Sequence, residues 1–184
     1  EAAARLVGAL EEARALTRVA ALVAGRNDAV TPLATWVLLD RFAEVLIFAN
    51  DRLAQMSSGR YELVRVDDEA GSAARRDRGL GLGVIDRFSS GGVRDPRTLS
   101  GGETFYVSLS LALALADVVT AESGGVSMET LFVDEGFGAL DPETLQIVLA
   151  ELSRLQAGGR TVGIVSHVEE LRRQIPDRID VTGT

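Results

Sequence analysis

The chain has no cysteine, no lysine and a single histidine. Without cysteine there is neither a disulfide framework nor a thiolate zinc site. Without lysine, all nineteen basic residues are arginine, and the phosphate-binding loop G-x-x-x-x-G-K-[ST] cannot be written anywhere in these 184 residues. A surplus of positive charge is lacking too. The formal net charge of -8 excludes coating of nucleic acid by bulk attraction, so any DNA contact must be local. No N-terminal segment joins a charged start to the apolar core of a signal peptide, which makes a cytosolic location the expectation. The apolar run Phe105 to Val119 falls short of the ~20 residues that span a bilayer. It also contains Ser108, Ser110 and Asp117, so it is expected to be a buried core helix, with no membrane partner.

What is present suits one core. At 46% hydrophobic, a chain of 184 residues can form a domain that buries roughly 70% of the surface its unfolded form exposes. Residues 1 to 24 are rich in Ala, Arg, Glu and Leu, and Leu6, Leu10, Ala13, Thr17, Ala20 and Ala24 are spaced by four and three. That spacing fits a heptad seam, and equally an ordinary amphipathic helix. Gly25 to Asp28 break the pattern, and Thr31-Pro32 start a second helix expected to run to about Met56. Tyr61 to Val66 and Leu80 to Phe88 alternate as two strands, joined by the charged loop Asp67 to Gly79, and Ser89 to Thr98 is a loop. Helix and strand then alternate: a helix from 103 to about 121, a strand Thr130 to Val133, and a helix from about 142 to 156. A strand Thr161 to Val165, a short helix from about 168 to 174 and a last strand near Arg178 to Val181 follow. This order predicts a parallel sheet covered on both faces.

Three segments carry chemistry. Leu99-Ser100-Gly101-Gly102-Glu103 opens the long apolar helix, and Ser100 with Glu103 fits a capping box. A cap does not need two glycines. A bare backbone that lets an anion approach the positive end of a helix does. The strand Leu131-Phe132-Val133 ends in Asp134 and Glu135, at the carboxyl edge where open parallel sheets bind ligands. Adjacent strand residues face opposite ways, so one acid can serve hydrated Mg²⁺ while the other orients or deprotonates water. The turn Gly136 to Leu140 leads to Asp141 as helix cap and Pro142 at the first helical position. His167 follows the strand Thr161 to Val165, level with the two acids.

In this order LSGGE, LFVDE and His167 look like the signature motif, Walker B motif and switch histidine of ABC-type ATPases. The turn DEGFGALD and the tail VGIVSHVEELRRQIPDRIDV resemble the SbcC and related double-strand-break repair ATPases. The resemblance implies an α/β fold, the C-terminal lobe of a P-loop NTPase-like ABC ATPase head. A parallel sheet is flanked by helices in residues 25 to 184, with a small antiparallel meander, and residues 1 to 24 form the base of a returning coiled-coil arm. It implies ATP and Mg²⁺ as cofactors, with the Walker A loop supplied by an N-terminal lobe, so that this chain alone cannot hydrolyse ATP. Its implied partners are a second head in a homodimer, an SbcD-type nuclease that cuts DNA ends and hairpins, and double-stranded DNA.

The roles carried over are specific. Ser100, Gly101, Gly102 and Glu103 belong to the signature motif, in which Ser100 and Gly102 contact the γ-phosphate across the dimer. Asp134 holds Mg²⁺ through water, Glu135 is the general base, His167 senses the γ-phosphate, and Ala139 to Asp141 form the D-loop. Competing expectations are an ATPase of a condensin-like or transporter branch and a non-catalytic dimerisation module. Arg75, Arg76, Arg78, Arg87, Arg94 and Arg97 could face DNA or be solvated charges balanced by Asp67, Asp68, Glu69 and Asp77, and they receive no role.

Overall fold

A computed structural model describes residues 2–66, 81–122 and 128–181. Two compact units divide between Glu44 and Val45. The first holds α1 (Ala2–Val23) and the start of α2 (Leu33–Met56). Gly25, at φ 87°, ends α1 with its N–H on the Leu22 carbonyl (3.1 Å), while the Arg26 N–H reaches Ala21 (2.9 Å). Asn27 closes the connection: its amide donates to the carbonyls of Leu22 (3.1 Å) and Thr31 (2.8 Å). The second helix begins one residue after Pro32. Of the heptad positions, Leu10, Ala13, Thr17, Ala20 and Ala24 are all exposed, so among the described residues nothing covers the seam at these positions.

The second unit contains the rest. The end of α2 contributes Val45, Leu46, Ala49, Leu53 and Met56 to its core. β1 (Tyr61–Val66) pairs antiparallel with β2 (Gly81–Asp86), Tyr61 opposite Asp86. The intervening loop, with Arg75, Arg76 and Arg78, lies outside the described residues. Asn50 docks α2 on β1, its amide donating to the Leu63 carbonyl (2.9 Å) and its oxygen accepting the Leu63 N–H (2.7 Å). Beyond β2 the chain is pinned rather than loose. Val84 and Arg94 exchange two backbone hydrogen bonds (2.9 and 2.8 Å), and Asp95 caps a 3-10 turn at Pro96–Thr98. Arg87 is paired with Glu62 (2.6 Å) and Arg94 stands 4.0 Å from Asp86.

The loop delivers Ser100 to α3 (Gly101–Glu122), whose 22 residues exceed the apolar run seen in the sequence. By length and hydropathy α3 could cross a membrane. It is instead a core helix, with Tyr106, Val107, Leu109, Ser110, Leu113, Ala114 and Val118 buried on one side. Asp117 joins it to its neighbours, accepting from Arg52 on α2 (2.5 Å) and from Arg160 (2.7 Å). Arg160 stands just before β4 (Thr161–Val165). β4 runs parallel to β3 (Thr130–Asp134), the two connected through α4 (Pro142–Ala157); α5 (Glu169–Gln174) follows.

Two expectations are corrected. The parallel sheet is not covered on both faces: Thr130, Phe132 and Asp134 of β3 are exposed, Phe132 to 72%. Among the described residues, two strands and one crossover helix leave that side of β3 open. The Phe132 ring rests on Gly163 of β4, where a methyl group would stand 2.5 Å from it. The strand expected near Arg178 to Val181 is irregular, with Ile179 and Val181 over 90% exposed. A strand requires a neighbour to take its backbone groups, and these residues pair with neither β3 nor β4.

The burial pattern of α3 gives a direct test. Leu113→Ala should lower unfolding free energy by about 2–5 kcal/mol in denaturant titration. Leu115→Ala, two residues on and 54% exposed, should stay within about 0.5 kcal/mol of the parent.

Candidate functional site

The first turn of α3 is closed by reciprocal hydrogen bonds. The Ser100 N–H donates to Glu103 Oε2 (2.8 Å), and the Glu103 N–H donates to Ser100 Oγ (3.3 Å). This is the capping box anticipated from the sequence. Glu103 Oε1 accepts a further hydrogen bond, from the Tyr61 hydroxyl (2.6 Å). Burial alone would raise the Glu103 carboxyl. The bonds from Tyr61 and Ser100, with the positive charge of Arg60, outweigh it and hold the group below the ordinary carboxylate value. Burial and the same carboxylate push the Tyr61 phenol up, and burial raises Tyr106 to about 12.

The two glycines of this turn have a use that the sequence did not reveal. The chain after β3 forms a 3-10 turn, Phe137–Ala139, that packs on the start of α3. A methyl group on Gly102 would stand 3.0 Å from the Ala139 carbonyl oxygen, and one on Gly101 would stand 3.3 Å from the Ala139 side chain. Bare backbone thus lets helix and turn meet without either giving way, whatever else approaches the helix end.

At the end of β3 the backbone departs from strand geometry. Asp134 is the last strand residue, and Glu135 takes φ 61°, a left-handed conformation uncommon outside glycine. Strand alternation therefore stops at Asp134, and the expectation that the two acids face opposite ways by strand pleat does not extend to Glu135. Its N–H still donates to the Val165 carbonyl (2.9 Å), which keeps it beside the end of β4. Gly136 follows at φ 94°, under the ring of Phe105, where a methyl group would stand 2.3 Å from the ring. Phe105 also meets buried Phe137, ring centres 5.0 Å apart.

β4 brings His167 to the same place. Its Nδ1 lies 3.1 Å from Glu135 Oε2, and both side chains are exposed. Asp134 is exposed as well, a carboxylate open to a hydrated cation. Among the described residues no cluster of three acidic or histidine side chains could enclose a metal. Asp141 accepts from the N–H groups of Glu143 (3.1 Å) and Thr144 (2.9 Å) and from the Thr144 hydroxyl (2.6 Å). The Thr144 hydroxyl contributes most to holding this carboxyl below its usual range. Capping thus accounts for Asp141 in full.

The structure brings Glu135 and His167 together and seats the Ser100–Glu103 turn on the turn that follows Glu135. Sequence reasoning missed Tyr61, Phe105 and the Arg60–Asp86 pair (2.9 Å). Tyr61 and Glu103 are 42 positions apart, and no periodic pattern announces such a bond.

Gly136→Ala combines a left-handed backbone with a collision at Phe105, and should cost about 1–3 kcal/mol in thermal or chemical unfolding. A pH series tests the carboxylates. Glu103 and Asp86 are both held below their ordinary values, Asp86 chiefly by the hydrogen bond from Arg60. Their stabilisation is fully present above the unfolded carboxylate values near ~4 and disappears as pH falls through the lower folded values. Asp86→Asn should flatten the fall of the unfolding midpoint in that acid window and change its slope little at neutral pH.

Residues 86–154 match the family described as SbcC/RAD50-like, Walker B motif. The chain is 50% identical over 160 residues to the SbcC component of the Vibrio cholerae nuclease SbcCD, covering 87% of this chain and 16% of that one. The protein of the same name from Treponema pallidum is 40% identical over all 184 residues, 17% of its length. The chain thus spans about one-sixth of these relatives. In architecture it matches a structure from work on ATP-driven dimerization and DNA-stimulated activation of SMC ATPases, at TM-score 0.58 and 14% identity, over 80% of this chain and 82% of that one. A Pyrococcus furiosus Smc head with an extended coiled coil, bound to the C-terminal domain of ScpA, matches at TM-score 0.51 and 15% identity, over 70% and 29%. The fold is that of an SMC-type ATPase head, and the motifs and identities together place this chain in the SbcC/RAD50-like family.

Proposed function

We propose that this chain supplies the signature, Walker B and switch elements of an ATP-hydrolysing head in an SbcC-like DNA double-strand-break repair protein. The observation that carries the proposal is the Glu135–His167 pair at 3.1 Å, beside a turn on which the Ser100–Glu103 segment is seated. Glu135 is the general base: it is exposed, it directly follows a strand of a parallel sheet, and its carboxylate can accept a proton from water. His167, held at that carboxylate, orients it and meets the γ-phosphate. Bound Mg²⁺ supplies neutralisation of phosphate charge, and Asp134 is the residue that would hold it through water. Ser100 and Gly102 face the γ-phosphate of ATP bound to a second head, where the α3 N-terminus adds about 0.3–1 kcal/mol. The Glu103 carboxylate, engaged by Tyr61 and Ser100, shapes that turn rather than touching nucleotide. Asp141 contributes by fixing the start of α4 behind the D-loop.

With no lysine, these residues cannot grip the triphosphate themselves. The Walker A lobe is proposed to come from an N-terminal part of the same protein, and the chain alone is inactive. The bare side of β3 and β4, with Phe132 and Val165 exposed, is where such a lobe would complete the sheet. The exposed seam of α1 suits an antiparallel partner helix of a coiled-coil arm. By analogy with the relatives' name, the assembled cytoplasmic protein works with an SbcD-type nuclease on double-stranded DNA, ATP turnover at a head dimer gating cleavage of ends and hairpins.

In the complete protein, Glu135→Gln should slow ATP turnover by ~10²- to 10⁴-fold and leave nucleotide binding and dimerisation intact; unchanged turnover would remove it from the role. Ser100→Arg should abolish nucleotide-driven dimerisation while single heads still bind ATP, which sedimentation with and without nucleotide resolves.

A further inference from the structure

The signature turn carries a carboxylate where an anion is to be received. An uncompensated Glu103 would repel phosphate and, as an ordinary helix-cap side chain, would be free to swing. Both problems are met from the antiparallel hairpin and the residue before it, with Arg60 supplying positive charge and Tyr61 a hydrogen bond. Tyr61, the first residue of β1 and only 3% exposed, donates its hydroxyl to Glu103 Oε1 at 2.6 Å. The other carboxylate oxygen takes the Ser100 N–H, so the group is held at both ends. Tyr61 is itself fixed on several sides. Tyr106, one turn along α3, packs against it with ring centres 6.1 Å apart. The Arg60 guanidinium sits 4.8 Å from the ring centre and is anchored by Asp86, the cross-strand partner of Tyr61. A buried phenol must find a partner for its O–H, and this one has the carboxylate of the capping box.

We propose that Tyr61 is a positioning residue for the signature turn: its hydroxyl locks Glu103, and through it the backbone at Ser100, so that the turn is held in the geometry that receives phosphate. The proposal rests on the reading of Ser100 and Gly102 as γ-phosphate contacts, and adds the β1–β2 hairpin as the part that sets their position. Arg60 contributes positive charge near Glu103 without touching it. The carboxylate is thereby held between the hairpin and the Ser100 N–H.

Tyr61→Phe in the complete protein removes the hydroxyl and keeps the ring packing. Amides 100–104 should exchange with solvent about tenfold faster by mass spectrometry, and nucleotide-driven dimerisation should weaken by about tenfold, the effect of losing one hydrogen bond to a charged group. ATP binding to single heads should be unchanged. Adding Tyr61→Phe to Glu103→Ala should have no further effect on dimerisation, since the hydroxyl acts only through that carboxylate. Protection and dimerisation both within twofold of the parent, or full additivity in the double variant, would overturn the proposal. Ser100→Arg is the control for the reading beneath it. If that substitution leaves dimerisation intact, the trans contact fails, and the exchange of amides 100–104 still decides whether Tyr61 positions the turn.

Discussion

Everything at the site depends on the close approach of two backbones: the first turn of α3 and the segment 136–140. Three glycines make it possible. Gly101 and Gly102 admit Ala139, and Gly136 admits the Phe105 ring. The segment that follows Asp134 and Glu135 is thus in register with the helix whose N-terminus is proposed to meet phosphate. In the proposed dimer these two belong to different nucleotides, one on the same head and one on its partner. A displacement at either is felt at the other through van der Waals contact.

The polar frame around this contact is built from groups held in pairs. Tyr61 and Ser100 share the Glu103 carboxylate, Arg60 and Arg94 face Asp86, and Arg52 and Arg160 share Asp117. Each acid lies between two elements, so its hydrogen bonds fix how those elements meet. Asp117 couples α2 and the entry to β4 to the far end of α3, the helix that begins at the signature turn. Glu103 couples the hairpin to the near end. Such pairs add modest net stability and strong geometric preference, because an unpaired partner would be left partly desolvated.

What could be read from the sequence was local. The alternation in Tyr61 to Val66 and the apolar run Thr161 to Val165 correspond to β1 and β4 residue for residue. Ser100 with Glu103, and Asp141 with Pro142, form the caps that their spacing implied. These features depend on neighbours within four positions. The bonds that assemble the site do not. Tyr61 reaches across 42 residues and His167 across 32, and neither separation has a period. The left-handed Glu135 could not be read either, since glutamate carries no preference for that conformation. The covered sheet and the strand at 178–181 were expected from a rule for complete parallel sheets, and two strands do not satisfy that rule.

The backbone at Glu135 has an evolutionary corollary. A β-carbon in the left-handed region stores about 1–2 kcal/mol, which glycine relieves wholly and asparagine in part. Pressure for robustness alone would therefore replace the side chain proposed as the general base. On that proposal, retention of glutamate here would mark continuing demand for turnover, and drift to glycine would give a sturdier, silent molecule.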